Sequence, residues 1–183
     1  MYIGYLLCVD PKWLEVVFSK GKYERAAICI APDISDEIVG GDPVFFTLKS
    51  DQERLIYVYA RVAMERKDSI AEIWRLWGQM VGLSHERAVL GHSGKTDAML
   101  LPESQGNVFV FQDMVRIFPP VSLRSLHIDV LPAESVHKLT PEEVLTILRA
   151  LPIEAQTPWT KRVVDRNNDL PDTGLFTSEK SGP

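Results

Sequence analysis

The chain is poor in cysteine. Only Cys8 and Cys29 occur among its 183 residues. Each lies inside an apolar run (Leu6-Leu7-Cys8-Val9 and Ile28-Cys29-Ile30), where a thiol serves as a small hydrophobe. With no indication of secretion, two buried thiols are expected rather than a disulfide. The histidines His85, His92, His127 and His137 stand at no metal-ligand spacing, and no close ligand pair opens a zinc site. Neither a metal nor a cofactor is expected. Long hydrophobic runs are missing as well: nothing approaches the roughly 20 apolar residues of a membrane-spanning helix. The start Met1-Tyr2-Ile3-Gly4-Tyr5 lacks the basic stretch of a signal peptide, so a cytoplasmic protein that enters no membrane is expected. Positive charge is scarce. The formal net charge is −5, acidic in residues 1–138 and 139–183 alike, which argues against tight binding driven by phosphate neutralisation.

Catalytic motifs are absent too. No Gly-x-Ser-x-Gly elbow occurs, and neither cysteine has a suggestive histidine neighbour. Gly91-His92-Ser93-Gly94-Lys95-Thr96 ends like a phosphate loop, but the required first glycine falls at Val89 and no strand precedes it. Asp42 is a candidate base; between Gly41 and Pro43 it reads more simply as a turn residue.

What is present is the grammar of a small mixed sheet. Tyr2–Val9 reads as a first strand. Asp10-Pro11 opens a helix carrying Trp13, Val16 and Val17, and Arg25–Ile30 reads as a second strand. Gly40-Gly41-Asp42 turns into Pro43–Leu48, which pairs across a polar reversal with Leu55–Met64. In that last strand Ile56, Val58, Ala60 and Val62 share one face, and Leu55, Tyr57, Tyr59 and Arg61 the other. Glu65-Arg66-Lys67-Asp68 reads as a solvated turn. Ser69 with Glu72 makes a capping box for a helix whose stripe is Ile70, Ile73, Trp74 and Trp77, closed at Gly78. A short helix is expected over Leu83–Leu90, a long strand over Asn107–Phe118 stopped by Pro119-Pro120, and a short closing segment at Val121–Leu126. Thr140-Pro141-Glu142-Glu143 caps a last helix with Val144, Ile147, Leu148 and Leu151. The apolar density then falls. The expected fold class is α+β: a mixed β pseudo-barrel with helices inserted between strands and a C-terminal helix.

At these residues the sequence resembles the PUA-like superfamily, its EVE and ASCH branches and a related uncharacterised archaeal family. Gly40-Gly41-Asp42-Pro43-Val44-Phe45-Phe46 is similar to the superfamily's G-D-x-V-x-F strand opening. The insertion Ile70–Leu90, with Ile73-Trp74-Arg75-Leu76-Trp77-Gly78 and Gly82-Leu83-Ser84, is a second feature. Val108–Phe118 leading into Pro120-Val121-Ser122-Leu123-Arg124-Ser125-Leu126 is a third. The likeness spans about two-thirds of the chain, and residues 1–131 are taken as the PUA-like domain. Residues 132–156 are then a helical extension and 157–183 an irregular tail.

The resemblance implies a non-catalytic domain that recognises single-stranded RNA or a modified nucleotide through an aromatic-lined cleft. Bases have π-faces that stack on rings, worth about 1–3 kcal/mol each. The candidate ligand residues are Tyr57, Tyr59, Trp74 and Trp77, with Arg61 and Lys95 contacting backbone or base edge. Trp74 and Trp77 share a stripe with Ile70 and Ile73, so core packing is the competing reading, as cross-strand packing is for the tyrosines. Two other functions stay open: a small ASCH-like nucleotide-processing hydrolase, and a protein-interaction module docking through the last helix.

Overall fold

The computed structural model describes residues 2–19, 26–30, 38–48, 53–81, 89–90, 105–130 and 136–168. Seven strands form one mixed sheet: β1 (Gly4–Val9), β2 (Ala26–Ile30), β3 (Pro43–Leu48), β4 (Leu55–Ser69), β5 (Val89–Leu90), β6 (Gln105–Ser122) and β7 (Val136–Leu139). Their order across the sheet is β5-β2-β6-β4-β3-β1-β7. β1 runs parallel to β3 and β2 parallel to β5, while the remaining pairs are antiparallel. The helices are α1 (Pro11–Ser19), α2 (Ile70–Val81), α3 (Pro141–Ala150) and α4 (Pro158–Asn168). Mixed α+β architecture with inserted and C-terminal helices is thus present. Among the described residues no ladder joins β5 to β7, the two edges of the sheet. None of the described helices is long and apolar enough to cross a membrane.

Alternation along the strands feeds two apolar clusters. Tyr5, Leu7, Val44 and Phe46 pack with Trp13 and Val17 of α1 and Ile70 and Ile73 of α2. Leu6, Phe45, Ile56 and Tyr59 pack with Val144, Ile147 and Leu148 of α3 and Trp159 and Val163 of α4. Both faces of the central strands are therefore covered, and Tyr59, a candidate for the aromatic-lined cleft, is buried while Tyr57 stays half-buried. Short-range chemistry sets the helix starts. Asp10 Oδ1 accepts the Lys12 N–H at 2.8 Å, and Ser69 Oγ accepts that of Glu72 at 3.2 Å. At α3, Thr140 Oγ1 accepts the Glu143 N–H at 3.2 Å while Glu143 Oε2 accepts the Thr140 N–H at 2.8 Å.

Several local expectations give way to long-range pairing. Glu65-Arg66-Lys67-Asp68 is strand, because Glu65 through Ser69 pair with Phe109 through Gln105 of β6. Val89–Leu90 belongs to a strand rather than a helix, paired with Cys29 and Ile30. Gly78 does not close α2, which continues to Val81. β6 passes Pro119-Pro120 and reaches Ser122, its register on β4 stepping from Arg116 opposite Val58 to Val121 opposite Ile56. Val136–Leu139, within the expected helical extension, forms an edge strand on β1. Finally, residues 158–168 of the expected irregular tail form α4, because Trp159 and Val163 have an apolar surface to cover. Lys95, His85 and His92 lie outside the described residues.

Candidate functional site

The ring residues singled out in the sequence fall into two groups, separated by the register shift at Tyr57. The step between Ile56 and Val58 breaks the two-residue alternation. Tyr57 consequently packs on the first cluster with Val58, Ala60 and Val62, while Ile56 and Tyr59 belong to the second. A single face carrying Tyr57, Tyr59 and Arg61 does not form.

The first group is Tyr57, Trp74 and Trp77. Ile70 and Ile73 sink into the first cluster and hold α2 against it, leaving Trp74 and Trp77 half-buried at its margin; Tyr57 of β4 is half-buried against the same cluster. The indole N–H of Trp77 is shielded from water and has no hydrogen-bond partner among the described residues. Cations on α2 and the strand before it are already matched. Arg75 donates to both Glu72 oxygens, at 2.8 and 2.6 Å, and Arg66 to Asp68 at 2.8 Å. The Arg75 guanidinium holds the Glu72 carboxyl below its usual range. Asp68 is lowered first by the Ser69 N–H it accepts and then by Arg66.

The second group centres on Tyr59, fully buried with its ring 5.6 Å from Phe45. The Trp159 ring stacks on it at 6.0 Å and 22°, so no face of Tyr59 is open. The Arg61 guanidinium lies over the same indole, 5.3 Å from its centroid, within cation–π range. Tyr2 meets Trp159 edge-on at 5.1 Å. Arg61 is fixed by Asp113, whose Oδ2 accepts from both Nε, at 2.8 Å, and Nη2. Asp113 occupies the left-handed region (φ 53°) where β6 carries an extra residue against β4. The Tyr59 hydroxyl is sealed in without a partner among the described residues. Burial pushes that phenol far above the ordinary tyrosine range, Arg61 opposing and Asp113 adding to the shift.

Trp159 was invisible as a site residue because its segment reads as tail. One signal was available: Thr157-Pro158 is a cap followed by proline at the first helical position, and Trp159 and Val163 stand at i, i+4. Thr157 Oγ1 does accept the Thr160 N–H at 3.2 Å. Asp42 serves the turn. Its Oδ2 accepts the Val39 N–H at 3.0 Å, next to Gly41 at φ 98°. Partial burial raises its pKa, with the Val39 bond and Lys138 opposing. Among the described residues no group of three or more His, Cys, Asp or Glu side chains gathers to hold a metal. A recess of about 140 Å³ between α3 and α4, lined by Leu148, Arg149, Gln156, Thr160 and Lys161, includes none of the rings named from the sequence.

This arrangement of strands and helices is the fold seen in the solved structure of ASCH from Zymomonas mobilis. ASCH from Zymomonas mobilis superposes with a TM-score of 0.60 at 12% identity, covering 81% of this chain and 96% of that one. Its serine-to-alanine mutant gives 0.62 at 10% identity, with 81% and 96% covered. Its tyrosine-to-phenylalanine mutant gives 0.62 at 12%, with 81% and 99% covered. No family model matches the chain, and no curated protein matches it.

Proposed function

We propose that the chain is a non-catalytic binding domain that recognises RNA or a modified nucleotide by stacking a base on half-buried rings. The reading takes residues 1–131 as a PUA-like pseudo-barrel carrying the binding surface. One observation carries it: in an ASCH-type fold, Trp74 and Trp77, one helical turn apart on α2, stay half-buried at the margin of the first core cluster instead of sinking into it, and Tyr57 of β4 is half-buried against the same cluster. A ring held half-exposed by its neighbours has lost its rotamer freedom in advance, so stacking a base on it costs little ordering. Because Arg66 and Arg75 are neutralised by their own carboxylates, the base supplies most of the affinity and the phosphate little. Lys95 remains as a backbone or edge contact in this reading, whereas Arg61 belongs to the second group with Asp113 and Trp159.

The test is a titration of the full chain with a short single-stranded RNA and a panel of modified nucleosides at several salt concentrations. Saturable binding is expected, with log K falling against log salt at a slope of about −1, the signature of one or two phosphates on a single strand. Tyr57→Ala or Trp77→Ala should each weaken it by about 1–3 kcal/mol. No saturable binding to any member would overturn the proposal, and turnover of a nucleoside would replace it with the hydrolase reading.

A further inference from the structure

The Trp159 indole sits in the second group as a base would sit. It stacks on Tyr59, receives the Arg61 guanidinium over its face and meets Tyr2 at its edge. We propose that Tyr59, Arg61 and Tyr2 form a ring-binding cage for a purine or pyrimidine base, and that α4 plugs it with Trp159 as an internal ligand. The inference adds a second base site to the base-binding reading and rests on it.

Two observations support the cage. Two of its three walls are held independently of the occupant: Tyr59 by Phe45 and the sheet, and Arg61 by Asp113. Its Tyr59 hydroxyl is fully buried and has no partner while Trp159 is seated. A base edge, with ring nitrogens and exocyclic donors, offers that hydroxyl a hydrogen bond that the indole does not give it. The plug itself is held mainly by burial of its apolar face in the second cluster. Trp159, Thr160 and Val163 are the buried residues of α4, and Thr160 spends its hydroxyl on Thr157 O within the same segment. A side-chain bond from Arg149 to Asn168 Oδ1 ties the far end of α4 to α3.

An internal occupant competes with any external one, so the apparent Kd is raised by the inverse of the open fraction. If the cage is open in one molecule in ten, removing the plug tightens binding about tenfold. The experiment compares the full chain with Trp159→Ala, titrated with adenosine and cytidine 5′-monophosphates. Hydrogen exchange over residues 158–168 is followed with and without nucleotide. Tighter binding by W159A, together with nucleotide-induced loss of protection in wild-type α4, is expected. Trp159→Phe, which keeps a ring in the cage, should bind close to wild type and controls for folding. Equal or weaker binding by W159A, with wild type still binding, would overturn the plug and leave the wider reading standing. Failure of wild type and both variants to bind would overturn both; binding by W159A alone would support the plug.

Discussion

Tyr59→Phe tests the packing around the cage most sharply, because it removes one atom whose environment is unusual. The hydroxyl is buried without a partner, and a buried polar group left unsatisfied costs about 1–3 kcal/mol. The ring, its contact with Phe45 and its stacking on Trp159 all survive the change. The small void left behind offsets part of the gain, so Y59F should be more stable than wild type by about 1 kcal/mol. In a chain of this length that raises Tm by about 2–4 °C. The pH dependence follows from the raised phenol pKa. An unfolded tyrosine loses its proton near pH 10; the folded Tyr59 keeps it to higher pH. Below pH 10 this group adds no pH dependence. Above it the unfolded state binds fewer protons, and wild type loses up to about 1.4 kcal/mol per pH unit at this residue. Y59F does not. Urea unfolding of both proteins at pH 7 and above pH 10 should therefore show a gap that widens with pH. Destabilisation of Y59F by more than 1 kcal/mol at pH 7, or a gap independent of pH, would refute the reasoning.

Thr140→Ala removes the acceptor for the Glu143 N–H and one half of the α3 capping box; denaturant unfolding should register a loss of about 1 kcal/mol. Gly4→Ala places a methyl 2.6 Å from Val144 Cγ2 and 3.3 Å from Pro43 O. With Val144 buried, β1 and α3 must separate, and calorimetry should show a destabilisation of about 1–3 kcal/mol.

Local chemistry was readable in the sequence because it acts over three or four residues. The Gly41 turn, the Ser69 and Thr140 caps, and the strands beginning at Pro43 and Leu55 all follow from neighbours along the chain. Pairing between distant segments was not. The charges of Glu65–Asp68 disfavour a strand by propensity, yet a partner strand satisfies their backbone groups. The same holds for the candidate site. Tyr57, Tyr59, Trp74, Trp77 and Arg61 could be named, but which of them meet depends on a register shift against β6, more than fifty residues away in the chain. Trp159 depends on a surface that exists only once Phe45, Tyr59 and Arg61 are assembled. The cap at Thr157 and the i, i+4 pair Trp159 and Val163 point to a helix, but not to the surface it covers.

The central claim is that bases are held on rings at the margin of the first core. Its most direct measurement is a nitrogen-15 spectrum of the four tryptophan indoles during titration with single-stranded RNA. The account predicts that the Nε1–H signals of Trp77 and Trp74 move in a saturable way while that of Trp13, inside the core, stays still. Stationary Trp74 and Trp77 signals in the presence of bound RNA would contradict it.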